Sequence, residues 1–321
     1  MKLSIIIVSW NVKDHVNDCI NSIKKYPSKY TFEIIVVDNH SADGTVELLQ
    51  QHHPEIKIIA NQENHGFGRA NNQGAKIAEG EYLFILNPDT LFLEGTINKL
   101  IDFMDSHPDI AMCGPKVMNE NGSVQRSVRH FQTWKAAFCR YSILKHFGIF
   151  KSDLNHWRWR DFNYEQQGDV EQLIGAALLI KKKTFDFFGG FDERFFMYYE
   201  EVDLCYRIHL NGQRNVYYPG AELVHIGGRS SSQIPAKKQF MILQSLVSYL
   251  KKYTKGFKGS ILSGLFKFGV LTLQIYDLLF YFIVFLLAGL FVSNKKRDKF
   301  KNRFIAAYDF LTKYYISFLR V

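Results

Sequence analysis

Three acidic residues, Glu200, Glu201 and Asp203, lie close together directly after the largely aromatic stretch 195–199. A carboxylate that takes a proton from a hydroxyl works best when it is partly desolvated, because its pKa then approaches the working pH. The aromatic side chains would provide that desolvation. The cluster therefore predicts a general base, and the alternative is that acids at a helix start simply favour the helix dipole.

Asp89 ends the sequence Asn87-Pro88-Asp89, which follows an apolar run typical of a strand. Divalent cations such as Mg²⁺ prefer hard oxygen ligands of this kind. The position of Asp89 therefore predicts a cation ligand. The alternative is a turn residue placed by Pro88.

Short β-branched and apolar runs alternate with helical patterns over the first 90 residues and must position these side chains. This alternation predicts an α/β fold built from βαβ units around a mostly parallel sheet. Strands are predicted at 3–8, 32–37, 56–60 and 82–86, and helices at 14–25, 46–52 and 71–79.

Polar residues follow each of these four strands. Ligands of parallel sheets bind beyond the carboxyl ends of the strands, so these side chains are expected to converge on one crevice. They are Ser9 and Asn11 after the first strand, Asp38 and Asn39 after the second, Asn64 after the third and Asp89 after the fourth.

The regular alternation ends in the middle of the chain. Residues 123–172 are rich in aromatic and basic side chains and are predicted to form an insertion with short helices. Strand character returns at 173–181 and at 214–218. Between them, 191–209 begins as an aromatic loop and continues as a helix that carries the acidic cluster.

Composition excludes several classes of protein. Hydrophobic residues make up 47% of the chain, which excludes a disordered protein. The four cysteines are far apart and form no CxxC pair, so a reducing compartment is expected rather than a disulfide framework. The N-terminal apolar run lacks the features of a signal peptide.

Positive charge is concentrated in the C-terminal region. Residues 243–321 hold 13 of the 40 Lys and Arg but only 3 of the 31 Asp and Glu, and they are also strongly apolar. A basic and apolar tail favours an anionic membrane surface as partner rather than nucleic acid. We therefore expect a catalytic domain at 1–238 and a helical membrane-association region at 239–321.

The cleanest apolar stretch of this tail, 278–292, has 15 residues and is shorter than the ~20 that a membrane-spanning helix needs. Basic residues flank it on both sides, and the positive-inside rule places both flanks on the cytoplasmic side. An in-plane or re-entrant helical pair satisfies this condition. The alternative is a helical hairpin in the interface of a soluble dimer, so a homo-oligomer remains open.

Seven motifs resemble glycosyltransferase family 2 in their order and spacing, with the greatest similarity to the bacterial rhamnosyltransferase-like branch of O-antigen and capsule assembly. The resemblance covers about residues 1–230 and excludes the tail. The motifs are SIIIVSWN, VVDNHSADGT, NHGFGRANNQGA, LNPDT, GAALLIKK, FFMYYEEVDLCYRI and VHIGG.

The resemblance implies a GT-A fold and an inverting, metal-dependent transfer of a sugar, such as rhamnose, from a nucleotide-diphospho-sugar. The implied acceptor is a hydroxyl of a lipid-linked saccharide at the cytoplasmic face of the inner membrane. One alternative is transfer directly to polyprenyl phosphate, and another is a non-catalytic module that binds nucleotide-sugars. A sugar nucleotidyltransferase is disfavoured, because Ser9-Trp10-Asn11 stands where its Gly-rich, basic loop would be.

The resemblance also assigns roles. Glu201 would be the base and Glu200 would orient a substrate, in a Glu-Glu pair where the family most often has Glu-Asp. Asp89 and His225 would hold Mg²⁺ or Mn²⁺, with Asn87 in place of the first acid of the frequent Asp-x-Asp. Donor-nucleotide contacts are implied for Ser9, Asn11, Asp38, Asn64, Gly66, Asn72 and Asn87, and acceptor or diphosphate contacts for Arg126, Arg129, Asp203 and Arg207. Asp203 and Arg207 are also four residues apart and can pair along a helix.

Overall fold

The computed structural model describes residues 1–227, 235–291 and 294–321. The chain forms two compact units. The first comprises Met1–Phe131 and Asp161–Ser230, and the second comprises Gln132–Arg160 and Ser231–Val321. Residues 132–160 thus group with the C-terminal helices, and the boundary expected at residue 238 stays a prediction.

The first half of the first unit is the predicted alternation of strands and helices. Four parallel strands lie in the order β3-β2-β1-β4, and β1 is buried along its whole length, as in sheets covered on both faces. The helix predicted from residue 71 begins earlier, at Phe67. The bounds are β1 Leu3–Ser9, α1 Lys13–Lys25, β2 Phe32–Asp38, α2 Thr45–His52, β3 Lys57–Ala60, α3 Phe67–Ile77 and β4 Tyr82–Leu86.

The sheet becomes mixed beyond β4, where β10 runs antiparallel to both β4 and β6. The next strand, β11, is parallel to β6 and antiparallel to β5 and β8, while β7 and β9 form a separate ribbon. The bounds are β5 Thr90–Phe92, α4 Thr96–Ser106, β6 Ile110–Met118, β7 Val128–Arg129, β8 Gly168–Val170, β9 Gln172–Leu173, β10 Ala177–Lys181, α7 Lys182–Phe187, α8 Glu200–Leu210 and β11 Arg214–His225.

Strand β11 is longer than the predicted 214–218. Its register against β6 shifts between Tyr218 and Glu222, where Pro219 and Gly220 interrupt the regular pairing. The pairing then resumes and continues to His225. A proline and glycine inside a strand mark such an irregularity, and here it allows one strand to reach the carboxyl end of the sheet.

The second unit is helical, as predicted for the tail and for the insertion, but only residues 132–160 of the predicted insertion 123–172 belong to it. The outer parts of that range instead form the strands β7, β8 and β9 of the first unit, because their backbone pairs with β11 or with each other. Its bounds are α5 Trp134–Tyr141, a 3-10 turn at Ile143–Phe147, α6 Lys151–Arg158, α9 Pro235–Tyr253, α10 Phe257–Phe291, α11 Asn294–Asp309, a π-helical turn at Phe310–Tyr314 and α12 Tyr315–Leu319.

Helix α10 is apolar and long enough over Phe257–Leu287 to cross a membrane by length and composition, and most of its apolar surface is exposed. Part of one face is nevertheless covered. The ring of Phe266 lies 5.4 Å from that of Phe138, and the Nζ of Lys145 lies 3.9 Å from an Oδ2 of Asp277. Helix α11 folds back along the end of α10, with the rings of Phe282 and Phe304 5.5 Å apart.

Candidate active site

The carboxyl ends of β1, β2 and β3 are joined by backbone hydrogen bonds, which place Ser9, Asp38 and Asn39 at one edge of the sheet. The backbone N–H of Asn39 donates to the carbonyl of Ser9 at 2.8 Å, and that of Asn61 donates to the carbonyl of Asp38 at 2.9 Å. The Ser9 hydroxyl is buried and has no hydrogen-bond partner among the described residues. The nucleotide contact expected of Ser9 stays a prediction.

The carboxylate of Asp38 has local partners. Its two oxygens accept hydrogen bonds from the backbone N–H of Ser41 at 2.8 Å and from the Ser41 hydroxyl at 2.6 Å. The Oδ1 of Asn11 accepts from the backbone N–H of Ala42 at 2.8 Å. These bonds shape the loop after β2, and the nucleotide contacts expected of Asp38 and Asn11 stay predictions.

The loop before α3 contacts the aromatic stretch that precedes the acidic cluster. Gly66 has a φ of 78°, and the side chain of Asn64 accepts a hydrogen bond from its backbone N–H at 2.9 Å. A Cβ on Gly66 would lie only 1.9 Å from the carbonyl oxygen of Phe196. That carbonyl also accepts from the backbone N–H of Phe67 at 2.9 Å. Only glycine permits this close approach.

Helix α3 is joined to the same region through Asn72. Its side-chain amide donates to the carbonyl of Phe191 and its Oδ1 accepts from the N–H of Phe191, both at 2.9 Å. Gly74, two residues further along α3, packs on Ile6, since a Cβ there would lie 2.6 Å from the Ile6 Cγ2. Asn72 thus positions the aromatic stretch, and its predicted nucleotide contact remains a prediction.

The two adjacent glutamates at the start of α8 have different surroundings. Glu200 is only 4% exposed and lies against Gly68 of α3, whereas Glu201 is half-buried and lies against Gly175. The Oε2 of each is buried without a hydrogen-bond partner among the described residues. Glu201 is therefore the less buried residue of the pair, although its Oε2 is itself buried.

Burial raises the pKa of both carboxyl groups. The pKa of Glu200 lies well above its ordinary value because the group is desolvated and because the Glu201 charge is close. Desolvation raises the pKa of Glu201 to about 7. Two acids so placed do not both ionise near neutral pH, which leaves one protonated and the other able to accept a proton.

The turn that delivers the pair into the site is strained. Tyr198 and Tyr199 both have left-handed backbone conformations, with φ values of 70° and 69°. Bulky residues adopt this conformation only where the surrounding structure enforces it. The strain thus lies directly before the residue pair predicted to do chemistry.

Asp89 and His225 lie side by side, as the cation-ligand assignment requires. The Oδ1 of Asp89 is 3.2 Å from the Nε2 of His225, and the backbone N–H of Ile226 donates to the Asp89 carbonyl at 2.9 Å. Burial favours a higher pKa for Asp89, but the hydrogen bond and charge of His225 outweigh it and lower that pKa. The Nδ2 of Asn87 also lies 3.3 Å from the Nε2 of His225.

The donor set fits a cation that keeps open positions. The described residues include no group of three or more His, Cys, Asp or Glu side chains that could hold a metal ion. A cation held by Asp89 and His225 would therefore complete its shell with ligand oxygens and water, as Mg²⁺ commonly does.

The acid pair and the cation ligands share one anchor. The carbonyl of Ala176 accepts from the backbone N–H of Asn87 at 3.0 Å, while the neighbouring Gly175 contacts Glu201. Both chemical groups are thus attached to the start of β10. Sequence patterns did not indicate this role for Gly175, although Gly175 begins the motif GAALLIKK.

The four residues expected to bind acceptor or diphosphate fall into two pairs. Arg126 is exposed, and Arg129 lies in β7. Asp203 is fully buried and accepts from the Nε of Arg207 at 2.8 Å, while Arg207 also donates to the carbonyls at 188 and 190. This second pair supports the turn before the acidic cluster, and ligand roles for all four residues stay predictions.

Sequence comparisons agree with the predicted family. The family model described as "Glycosyl transferase family 2" matches residues 4–167. The chain is 29% identical over 248 residues to the N-acetylglucosaminyl-diphospho-decaprenol L-rhamnosyltransferase of Mycobacterium tuberculosis, covering 73% of this chain and 79% of that protein. It is 25% identical over 257 residues to the rhamnosyltransferase WbbL of Escherichia coli, covering 77% and 92%.

Solved structures share the fold at low sequence identity. The mannosyltransferase PcManGT of Pyrobaculum calidifontis, in complex with GDP-Man and Mn²⁺, superimposes with a TM-score of 0.55 at 14% identity, covering 97% of this chain and 87% of that one. GalNAc-T7 with UDP, GalNAc and Mn²⁺ gives 0.55 at 18% identity, covering 71% and 44%. The predicted GT-A-type α/β fold is confirmed.

The buried acid pair predicts a pH-dependent effect of Glu200→Gln on stability. The pKa of Glu200 is raised on folding, so between its unfolded and folded pKa values the folded state binds more protons than the unfolded state. Its contribution to the free energy of unfolding therefore falls as pH rises, by up to about 1.4 kcal/mol per pH unit for one proton. The amide of Glu200→Gln does not titrate, so this variant does not lose unfolding free energy in this way as pH rises.

Urea unfolding at pH 5, 6.5 and 8 measures the effect. The stability of Glu200→Gln relative to the unmodified protein should rise steadily from pH 5 to pH 8. Glu94→Gln, at an exposed acid, is the matched control and should show a constant difference. Parallel curves for Glu200→Gln and the unmodified protein would contradict the raised pKa.

Proposed function

Because this chain belongs to glycosyl transferase family 2, we propose that it is an inverting glycosyltransferase that builds a cell-surface polysaccharide such as O-antigen or capsule. The donor is a nucleotide-diphospho-sugar and the acceptor is a hydroxyl of a lipid-linked saccharide. Rhamnose is the first donor sugar to test, since the M. tuberculosis and E. coli relatives are named rhamnosyltransferases.

The observation that carries this proposal is that a desolvated carboxylate and the segment with the proposed cation ligands both contact the two residues directly before β10. Glu201 takes the proton of the acceptor hydroxyl, and its raised pKa matches that task. The acceptor oxygen then bonds to the anomeric carbon while the bond from that carbon to the diphosphate oxygen breaks. Glu200, protonated and buried behind it, keeps a second negative charge out of the site.

Asp89 and His225 are the residues that would hold a divalent cation. Bound there, Mg²⁺ or Mn²⁺ would neutralise the charge that develops on the departing nucleoside diphosphate. The nucleotide itself would occupy the crevice at the ends of β1, β2 and β3. The buried Ser9 hydroxyl and the backbone around Gly66 are the contacts that support this placement.

We further propose that residues 1–238 form the transferase domain and that 239–321 bind the cytoplasmic face of the inner membrane without crossing it. The first two thirds of α10 carry Asp277, which pairs with Lys145, and the buried amide of Gln274. A helix that crossed the bilayer would carry these polar groups into hydrocarbon at high cost.

The rest of the helical hairpin suits a shallow insertion. Leu279, Ile283 and Leu286 are exposed at the end of α10, while α11 returns along it with Lys299 and Lys301 exposed to solvent. Apolar side chains would enter the acyl region and the lysines would meet anionic headgroups. Both ends of the hairpin would then remain on one side of the membrane.

Replacement of the base gives the first test of the function. Glu201→Gln keeps the size of the side chain but accepts no proton, so kcat should fall by about 10²–10⁴-fold. The donor Kd should change less than threefold, because the nucleotide site lies at the strand ends. Steady-state kinetics with dTDP-rhamnose and a prenyl-diphosphate GlcNAc acceptor, and calorimetry with the donor, measure the two quantities.

Glu94→Gln is the control for exchanging an acid for an amide. In the unmodified enzyme kcat should rise with pH towards the Glu201 pKa of about 7. Near-normal turnover by Glu201→Gln would place the base elsewhere, and normal turnover by Glu200→Gln as well would favour the non-catalytic module.

Removal of the cation gives a second test. Excess EDTA should abolish transfer, and added Mn²⁺ or Mg²⁺ should restore it, because only the cation balances the diphosphate charge in this site. The Asp89→Asn variant should need at least tenfold more Mn²⁺ for half-maximal activity. Full activity in excess chelator would contradict the metal assignment.

The membrane proposal predicts salt-sensitive binding to anionic vesicles. Each basic residue near the surface contributes about 1 kcal/mol, so Lys299→Gln with Lys301→Gln should weaken binding roughly thirtyfold in vesicle co-sedimentation. Lys182→Gln with Lys183→Gln, a pair of lysines in the first unit, is the matched control and should leave binding unchanged.

Labelling of introduced cysteines tests the topology of the hairpin. The four native cysteines are buried, so single cysteines at the exposed positions Lys255 and Lys313 can be detected against a low background. A membrane-impermeant maleimide should modify both in inverted inner-membrane vesicles. Modification of Lys255→Cys but not of Lys313→Cys would show that α10 crosses the bilayer.

A further inference from the structure

Gln125 contacts His225 from the side opposite Asp89. The Oε1 of Gln125 lies 2.7 Å from the Nδ1 of His225, while the Nε2 of His225 faces Asp89 and Asn87. No motif in the sequence singles out Gln125. An imidazole nitrogen can coordinate a cation only through a lone pair, so the location of the ring proton decides whether the Nε2 of His225 can be a ligand.

A series of hydrogen bonds fixes which atom of Gln125 faces the ring. It begins at the backbone N–H of Ser123, which can only donate and therefore faces the Oδ1 of Asn121 at 3.1 Å. The Ser123 hydroxyl must then donate to the same oxygen, at 2.7 Å. Its own oxygen is left to accept from the Nδ2 of Asn119 at 2.9 Å.

The series continues to the histidine. Since the Nδ2 of Asn119 is used as a donor, its Oδ1 is the atom that accepts from the Nε2 of Gln125, at 3.0 Å. The remaining atom of that amide, the Oε1, is therefore the one that faces His225. A carbonyl oxygen can only accept, so the Nδ1 of His225 must carry a proton.

We propose that Gln125 is a positioning residue that holds the Nδ1–H of His225 on its own side of the ring and so leaves Nε2 as the nitrogen that faces the cation site beside Asp89. In the metal-free protein that nitrogen lies within hydrogen-bond distance of the Asp89 carboxylate, and a bound cation would take the place of its proton. The amide of Asn87 also lies 3.3 Å from that nitrogen. Partners of this kind orient metal-binding histidines in proteins, and their loss typically weakens metal affinity 10–100-fold. This inference rests on the proposed assignment of Asp89 and His225 as cation ligands.

Nitrogen-15 NMR of the metal-free protein at pH 8 tests the tautomer directly, with His225→Gln used to assign the signals. The unmodified protein should show a protonated Nδ1 at His225. Gln125→Leu should lose the Nδ1 proton and keep only the one at Nε2, whereas Gln125→Glu, which still accepts a hydrogen bond, should keep the Nδ1 proton. A protonated Nε2 in the neutral ring of the unmodified protein would overturn the inference.

Manganese binding gives an independent readout without turnover. Electron paramagnetic resonance of free Mn²⁺ should show that Gln125→Leu raises the Kd about 10–100-fold, whereas Gln125→Glu and the distant control Gln213→Leu stay within threefold. An unchanged Kd in Gln125→Leu would overturn the positioning role.

Two ligand variants separate this inference from the function on which it rests. If Asp89→Asn and His225→Gln weaken Mn²⁺ binding but Gln125→Leu does not, only the role of Gln125 is wrong. If the two ligand variants also bind Mn²⁺ normally, the cation site itself is misassigned and the positioning role fails with it.

Discussion

The burial of two neighbouring carboxyl groups at the start of α8 is the constraint on which the rest of the site depends. Removing a carboxylate from water costs several kcal/mol unless it is protonated or paired, and Glu200 has no ion-pair partner among the described residues. Such an arrangement persists only if the surrounding structure holds it rigidly.

That rigidity comes from several directions. The bond from Phe67 to Phe196 and the reciprocal bonds of Asn72 with Phe191 attach the aromatic stretch to α3. Within α8, Arg207 pairs with the buried Asp203 and donates to the carbonyls of Phe188 and Gly190, which precede that stretch. The left-handed conformations before the acids thus follow a segment that both α3 and α8 hold in place.

The sequence predicted the parts of the fold that short-range patterns determine. The apolar runs of β1 to β4 and the i,i+4 spacing of Asp203 and Arg207 suffice to predict those elements. The alternation of strands and helices also predicts that Ser9 lies at the carboxyl end of β1. The antiparallel direction of β10 was not predictable, because a short apolar strand has the same pattern in either direction. The role of Gln125 depends on a long-range contact with His225 and on amide orientations, which no spacing reveals.

Asn87 stands where a second acid is frequent in the family, so Asp89 would supply the one negative side chain of the proposed pair of cation ligands, beside a nitrogen of His225. A site with one charge fewer would hold an isolated cation less strongly, but it would also repel an incoming diphosphate less. Affinity for the metal would then depend more on the orientation of the imidazole, which the proposed role of Gln125 secures. The backbone bonds of Asn87 with Ala176 and of Ile226 with Asp89 hold the chain segments that carry the proposed ligands, so geometry would compensate for the charge that the motif lacks.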